Sequence, residues 1–312
     1  MYKGFPTIPQ AVWITPENVV DVELTRSRLI APVVTLSAKS SFRRYMQVMR
    51  PEIQGRLTTK KEFKQSSRAD AKQYEDVLDG HLNKALGTGK TINLDPAMIA
   101  YRIIFFSMSS FQTVPVAATH LMFDVYSADP SYNLIQELKT EIEEALASTG
   151  DSWNGEVIRN TPKLESTVRE SMRLSCFSTR GCSRKVKHPD GYRTANGDVI
   201  PQGSTLTVSQ WSIHQDEDVY RDAAAFKPYR FYSEKDRSSK AIGAVSEDFL
   251  PFGMGRHACP GRFFAGVMLK MILAYFITNY EVKPFAKRPQ GRWIGTNHIP
   301  PLKAEFTIRK RS

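Results

Sequence analysis

The stretch PFGMGRHACPGRFFA, residues 251–265, is the most specific pattern in this chain and decides the predicted fold. In it, three glycines and two prolines surround one cysteine, Cys259, directly before a strongly apolar segment. Glycine lets a backbone turn tightly and approach a flat ligand closely. At the start of a helix, amide N–H groups and the positive end of the helix dipole stabilise a thiolate. The stretch therefore predicts a soft anionic metal ligand, although a cysteine taken alone is usually a small hydrophobic residue.

The composition is that of an ordinary globular protein with a basic surface. The chain has 312 residues, of which 41% are hydrophobic and 24% charged, and its formal net charge is +11. Lysine and arginine are spread along the chain without a basic tail or a known nucleic-acid motif. A solvated basic surface and a docking face for an acidic redox partner are therefore the two interpretations. A nucleic-acid-binding protein would rest on charge alone, and we expect no nucleic acid partner.

The cysteines exclude two kinds of structural site. Cys176, Cys182 and Cys259 are too few for a disulfide framework in a chain of this length. A zinc site at Cys176 and Cys182 would need further cysteine or histidine ligands at zinc-binding spacing, which the sequence lacks.

No segment has the pattern of a membrane anchor or a secretion signal. No stretch reaches the roughly 18 uninterrupted apolar residues that a membrane span needs. Residues 1–13 lack a basic region followed by an apolar one. We therefore expect an intracellular protein without a transmembrane anchor in this chain.

Hydrophobic periodicity predicts a mainly α-helical protein with a small β part. The predicted helices are residues 73–86, 96–128, 131–148, 161–175 and 261–280. Short strands are expected within residues 1–25, 180–210 and 281–309. The segment 96–128 is the longest apolar run, and we expect its helix to be buried on nearly all sides.

The cysteine stretch resembles the haem-binding loop of cytochromes P450, FxxGxxxCxG, with the form found in fungal members. Phe252, Gly255, Cys259 and Gly261 fill that pattern. The resemblance implies that Cys259 is the axial ligand of a haem iron and that Phe252 packs near the thiolate. It also implies that His257 bonds a haem propionate.

Three further segments resemble the same family and occur in its order. Glu170 and Arg173 fill the ExxR motif, and at a spacing of three residues they share a helix face. Arg230, in the FKPYRF segment at 226–231, would complete their cluster, which is structural in the family. Arg184 occupies a position where the family often has a propionate-binding arginine; an exposed strand charge is the equal alternative.

The helix predicted at 96–128 resembles the distal helix of the family, which crosses the haem face where oxygen binds. The motif [AG]Gx[DE]T[TS] is matched by residues 109–114, SSFQTV, so that Thr113 is retained and Gln112 replaces the acid. The resemblance implies that the Thr113 hydroxyl supports protonation and that Gln112 orients water. A hydroxyl bonded within its own helix is the alternative for Thr113.

The resemblance covers residues 96–312, the expected catalytic core, and leaves 1–95 as a shortened or divergent N-terminal region. We therefore expect a P450 fold that is incomplete at its N-terminal and distal side. No tryptophan is followed by arginine four residues later, so the propionate-binding WxxxR motif is missing.

The resemblance implies haem b as the cofactor and NADPH–cytochrome P450 reductase as the electron donor. It implies insertion of one oxygen atom from O2 into a lipophilic small molecule, such as a fungal secondary metabolite of terpenoid or indole terpenoid type. Family members usually lie at the endoplasmic reticulum membrane. The alternative is a shortened P450-like remnant without monooxygenase activity.

Overall fold

The computed structural model describes the backbone of residues 12–15 and the full residues 40–60 and 76–311. The chain divides into two compact units, one of residues 17–111 and one of residues 1–16 with 112–312. Most of the predicted strand region 1–25 and the charged stretch 61–72 lie outside the described residues. The predicted division at residue 96 follows family motifs, not compactness, and stays a prediction.

The smaller unit is a helical cluster with its own apolar core. Its described elements are α1 (residues 40–60), α2 (Val77–Gly87), a 3-10 turn (Thr91–Leu94) and the first part of α3 (Pro96–Tyr126). Asp76 precedes α2, and its carboxylate accepts from the Asp79 amide at 2.8 Å, which caps the helix. The core of this unit contains Ile53, Leu57, Leu78, Leu82, Ile99 and Ala100. The predicted helix at 73–86 is confirmed from Val77 onward.

The larger unit holds the remaining helices and all the described strands. The helices are the second part of α3, α4 (Leu134–Ala147), α5 (Gly155–Arg159), α6 (Pro162–Leu174), α7 (Gln210–His214) and α8 (Arg262–Asn279). Buried apolar side chains of α3, α4, α6 and α8 form its core, including Leu121, Leu138, Val168 and Leu273. The helices predicted at 131–148, 161–175 and 261–280 are confirmed.

The β part of the larger unit consists of small antiparallel sheets. The strands are β1 (Val12–Thr15), β2 (Gly181–Lys185), β3 (Tyr192–Arg193), β4 (Val199–Ile200), β5 (Thr205–Val208), β6 (Tyr232–Ser233), β7 (Ser238–Ser239), β8 (Tyr280–Val282), β9 (Arg292–Ile294), β10 (Asn297–Ile299) and β11 (Ile308–Lys310). The largest sheet has the order β1-β5-β2, and the other strands pair in twos. The predicted class, mainly α with a small β part, is confirmed.

The start of α6 is capped by a side chain from another helix and not by the residue that precedes it. Thr161 is the residue before the helix and Pro162 its first residue, but the Thr161 hydroxyl donates backwards to the Ile158 carbonyl at 3.1 Å. The buried Glu141 carboxylate of α4 instead accepts from the amides of Lys163 and Leu164, at 2.7 and 2.9 Å. A carboxylate at this end also interacts favourably with the helix dipole. The cap therefore comes from another helix.

The prediction that α3 is buried on nearly all sides is wrong for its middle part. Phe105, Phe106 and Phe111 are 59%, 47% and 77% exposed, and Gln112 and Thr113 are exposed as well. The two ends of the helix are buried: Ile99 and Ala100 lie in the core of the smaller unit, and Leu121 and Tyr126 lie in the core of the larger one. The apolar composition predicts the helix correctly, but it does not show which other segments pack against each part of it.

Among the described helices, α8 alone is long and apolar enough to cross a membrane by length and composition, and 33% of its residues are buried. Its buried residues include Leu269, Leu273 and Ile277, which belong to the core of the larger unit. Lys270 is also buried on this helix. A core helix of a globular domain accounts for the same length and hydropathy.

Candidate active site

The Cys259 loop, residues 251–261, forms a closed turn that ends at the start of α8. The Cys259 amide donates to the Phe252 carbonyl at 2.8 Å, which ties the two ends of the loop together. Gly255 begins a short 3-10 turn with φ of +67°, a conformation that side chains with a Cβ rarely adopt. Cys259 is a free, exposed thiol, and α8 begins at Arg262. The thiol therefore lies near a helix start and is open to a ligand.

The other loop residues predicted to serve the haem lie around the same turn. His257 is exposed, and its Nε2 lies 3.3 Å from Nε of Arg256. At Gly261 an added Cβ would lie 3.9 Å from the Cys259 Sγ, which is ordinary contact. At Gly255 an added Cβ would meet nothing within 4 Å, so the loop borders open space.

Glu170 and Arg173 of α6 form a buried charge cluster with Arg230. Both Arg173–Glu170 hydrogen bonds measure 2.8 Å, and neither side chain is exposed. The Arg230 Nε lies 3.0 Å from both Glu170 oxygens. The Lys227 amide adds a further bond to Glu170 at 3.1 Å. One carboxylate thus holds two guanidinium groups and the segment 226–231.

The cytochrome P450 family model matches residues 7–303. Relatives include the cytochrome P450 monooxygenases avaL of Aspergillus versicolor, 30% identical over 78% of this chain and 47% of the relative, and htyF of Aspergillus rugulosus, 32% identical over 82% and 40%. The monooxygenase gloP of Glarea lozoyensis is 30% identical over 91% of this chain and 55% of the relative. The chain belongs to the cytochrome P450 family.

This P450 chain spans about half the length of the curated relatives that it matches. The resemblance drawn from its motifs is confirmed, and the matched relatives named above are fungal. Cytochromes P450 are haem proteins.

The loop has the chemistry that a haem needs from a P450. Among the described residues, no cluster of three or more His, Cys, Asp or Glu side chains could hold a bare metal ion. A haem would need one soft ligand from the protein for its iron, and a cysteine thiolate could supply it. Cys259 is a free thiol in a glycine-containing turn that borders open space, so the loop and the cofactor fit.

The predicted distal residues lie in the second part of α3, which belongs to the larger unit. Gln112 and Thr113 follow each other and are both exposed. Arg184 lies in β2, where its Nη1 donates to the Ser183 carbonyl at 2.8 Å. Arg184 is exposed, so both interpretations of it, propionate binding and a plain strand charge, stay predictions.

Two further buried residues, Arg169 and His214, attach the segment just before the Cys259 loop to α6 and α7. The guanidinium of Arg169 lies 3.6 Å from the ring centroid of Phe249 and donates to the Ala244 carbonyl at 2.8 Å. Nε2 of His214 accepts from the Leu250 amide at 3.0 Å. Burial lowers the pKa of His214 to about 3, so its ring stays neutral and can accept this bond. In the sequence, Arg169 directly precedes Glu170 of the ExxR motif. That position alone does not distinguish a buried arginine from an exposed one.

Proposed function

We propose that this chain carries the catalytic core of a haem-thiolate monooxygenase that inserts one oxygen atom from O2 into a lipophilic small molecule. The observation that supports it most is the exposed Cys259 thiol in the family loop, held by the Phe252 carbonyl directly before α8. A haem held through a thiolate supplies the activation of dioxygen. Haem b is the proposed cofactor and Cys259 its axial ligand.

The side chains around the haem have separate proposed roles. The Thr113 hydroxyl holds and passes a proton on the distal side, and the Gln112 amide orients the water that delivers it. His257 and Arg184 hold propionates by hydrogen bonds and charge. Phe252 packs beside the thiolate. The Glu170 cluster contributes stability and does not touch the cofactor.

The electron donor and the substrate follow from the family and from charge. NADPH–cytochrome P450 reductase is the proposed donor, and the net charge of +11 favours an acidic partner face. A fungal secondary metabolite, terpenoid or indole terpenoid, is the proposed substrate class, and this rests on family analogy. The proposed location is intracellular, at the membrane that carries the reductase.

The first test is the absorption spectrum of the purified, haem-supplied protein after reduction and exposure to carbon monoxide. We expect a strongly red-shifted, thiolate-type Soret band that Cys259→Ala abolishes. Cys182→Ser is the matched control, because it also removes a free thiol but lies in β2, and it should keep the band. Absence of haem uptake, or a histidine-like band in the wild type, would contradict the proposal.

The alternative function, a catalytically impaired P450-like remnant, is supported by the exposure of the distal part of α3. Gln112, Thr113 and Phe111 are open to solvent in this chain. Water at an oxygen-activating site favours side reactions over substrate oxidation. The discriminating measurement is the fate of NADPH with reductase present. Substrate-dependent product favours the monooxygenase, and consumption that yields only hydrogen peroxide favours the remnant.

A further inference from the structure

We propose that Arg262 is a positioning residue that fixes the Cys259 backbone by bridging it to the segment 241–244, here named the brace segment. The inference deepens the proposed function, because it concerns how the axial ligand is held. Arg262 is the first residue of α8 and is half-buried. None of the sequence motifs assigns it a role.

The two hydrogen bonds of Arg262 carry the inference. Its Nε donates to the Gly243 carbonyl at 3.1 Å and its Nη1 donates to the Cys259 carbonyl at 3.0 Å. A guanidinium is planar and presents several donors in a fixed fork, so it sets the separation of the two carbonyls that it binds. The backbone of Cys259 is thereby tied to a segment about sixteen residues earlier in the chain.

Phe263 holds the guanidinium in place from one side. The Arg262 guanidinium carbon lies 4.4 Å from the centroid of the Phe263 ring, within the range of a cation–π contact. The same ring packs on Gly243, where an added Cβ would come within 2.7 Å of a ring carbon. Only glycine therefore allows the ring and the brace segment to approach this closely.

The brace segment is itself anchored to α6, so Arg262 connects Cys259 to a fixed support. The Arg169 guanidinium donates to the carbonyls of Ala241 and Ala244, at 2.5 and 2.8 Å. The Ile242 amide donates to the Glu165 carboxylate at 2.6 Å. Ile242 is buried in the core of the larger unit. Each residue of the segment except Gly243 is thus fixed by α6 or the core, and Gly243 is fixed by Arg262.

The consequence is that the direction of the Cys259 side chain depends on the guanidinium fork and not on positive charge alone. Lysine at position 262 would retain the charge but could bind the two carbonyls only with a mobile ammonium. Both Arg262→Gln and Arg262→Lys should therefore loosen the loop. Arg221→Gln is the charge-matched control, since the Arg221 side chain is 95% exposed.

The test measures hydrogen exchange of peptides covering residues 252–261 in the full chain without added haem, and then the reduced carbon monoxide spectrum with haem. We expect exchange of these amides to be about tenfold faster or more in Arg262→Gln and Arg262→Lys, the scale for losing a hydrogen bond to a charged group. Exchange in α4, and in the control variant, should not change. With haem, both variants should show a smaller share of the thiolate-type band than the control. Gly243→Ala, which pushes Phe263 away, should reproduce the effect.

The two readouts separate this inference from the proposed function. Unchanged exchange in the loop, or wild-type behaviour of Arg262→Lys, would overturn the two-point bridge. If exchange is faster in the Arg262 variants but the wild-type protein itself never gives the thiolate-type band, the bridge is supported and the haem-thiolate function is rejected.

Discussion

At the scale of single residues, Glu170 is a buried carboxylate that neutralises the charges of two arginines, Arg173 and Arg230. It lies fully buried between two guanidinium groups, and every one of its hydrogen bonds has a charged or backbone donor. Arg173 also donates to the His214 carbonyl and lies 4.8 Å from the centroid of the Tyr220 ring. Removal of the carboxylate would leave the fully buried Arg173 and the largely buried Arg230 without this counter-charge.

Glu170→Ala should therefore destabilise the protein strongly. Loss of one partner of a buried ion pair costs about 3–5 kcal/mol, because the remaining charge stays buried without compensation. The measurement is the free energy of unfolding in urea. Glu281→Ala is the control, because Glu281 pairs with Arg309 at the surface and exposed pairs contribute little. Equal effects of the two changes would refute the structural role of the cluster.

At the scale of elements, α4, α6 and α8 share an apolar core and are also joined by buried hydrogen bonds and an ion pair. Glu141 of α4 caps α6, and Lys270 of α8 binds the Glu165 carboxylate of α6 at 2.7 Å and the Ile158 carbonyl. Burial of Glu141 raises the pKa of its carboxyl, while the two helix amides act in the opposite sense. These contacts fix the helices that precede and follow the Cys259 loop.

Glu141→Ala should destabilise the protein by about 1–2 kcal/mol, the scale of a lost helix cap. The amides of Lys163 and Leu164 would lose their acceptor at the start of α6. Thermal unfolding followed by circular dichroism measures the change. Glu144→Ala, an exposed change on the same helix, should have a much smaller effect. A loss of stability that is no greater than that of the control would show that the cap does not contribute.

Lys270→Met should also destabilise, by about 1–3 kcal/mol, since it leaves the Ile158 carbonyl without its donor in the core. Its partner Glu165 retains a bond to the Ile242 amide, so part of the carboxylate stays satisfied. A double-mutant cycle with Glu165→Gln measures the coupling in urea. Additive effects of the two changes would indicate that the pair does not interact.

At the scale of the whole molecule, buried neutral histidines make stability depend on pH. Burial lowers the pKa of His120 and His214 to about 3 and that of His298 to about 4, from an ordinary value of 6.5. Nearby Arg288 lowers the pKa of His120 and His298 further. In the unfolded chain these three histidines take up protons below about pH 6.5, whereas in the folded protein they do so only at much lower pH. Stability is therefore fully present above about pH 6.5 and is lost as the pH falls towards 4.

The free energy of unfolding should fall between pH 6.5 and 5 with a slope of up to about 1.4 kcal/mol per pH unit for each such histidine. Replacement of His120 by Gln should reduce this slope, whatever its effect on stability at pH 7. Urea unfolding at several pH values measures both. Buried Asp124, whose pKa is raised by burial, acts in the opposite sense, so the comparison between variants decides the result. Parallel slopes for the wild type and the His120 variant would contradict the assignment.

The sequence by itself determined the family, the positions of five of the eight described helices and the loop that contains Cys259. These depend on local pattern: glycine spacing around a cysteine, apolar periodicity and the three-residue separation of Glu170 and Arg173. Such patterns act over a few residues, so they can be read without knowledge of the fold.

Only the tertiary structure decided the cap on α6, the stacking of Arg169 on Phe249, the bridge from Arg262 to Gly243 and the exposure of α3 at Phe111. Each of these depends on which distant segments meet, and a side chain of one type can cap, bridge or lie in solvent according to its neighbours. The physical reason is that hydrogen bonds and burial are properties of contacts between segments, whereas periodicity is a property of one segment.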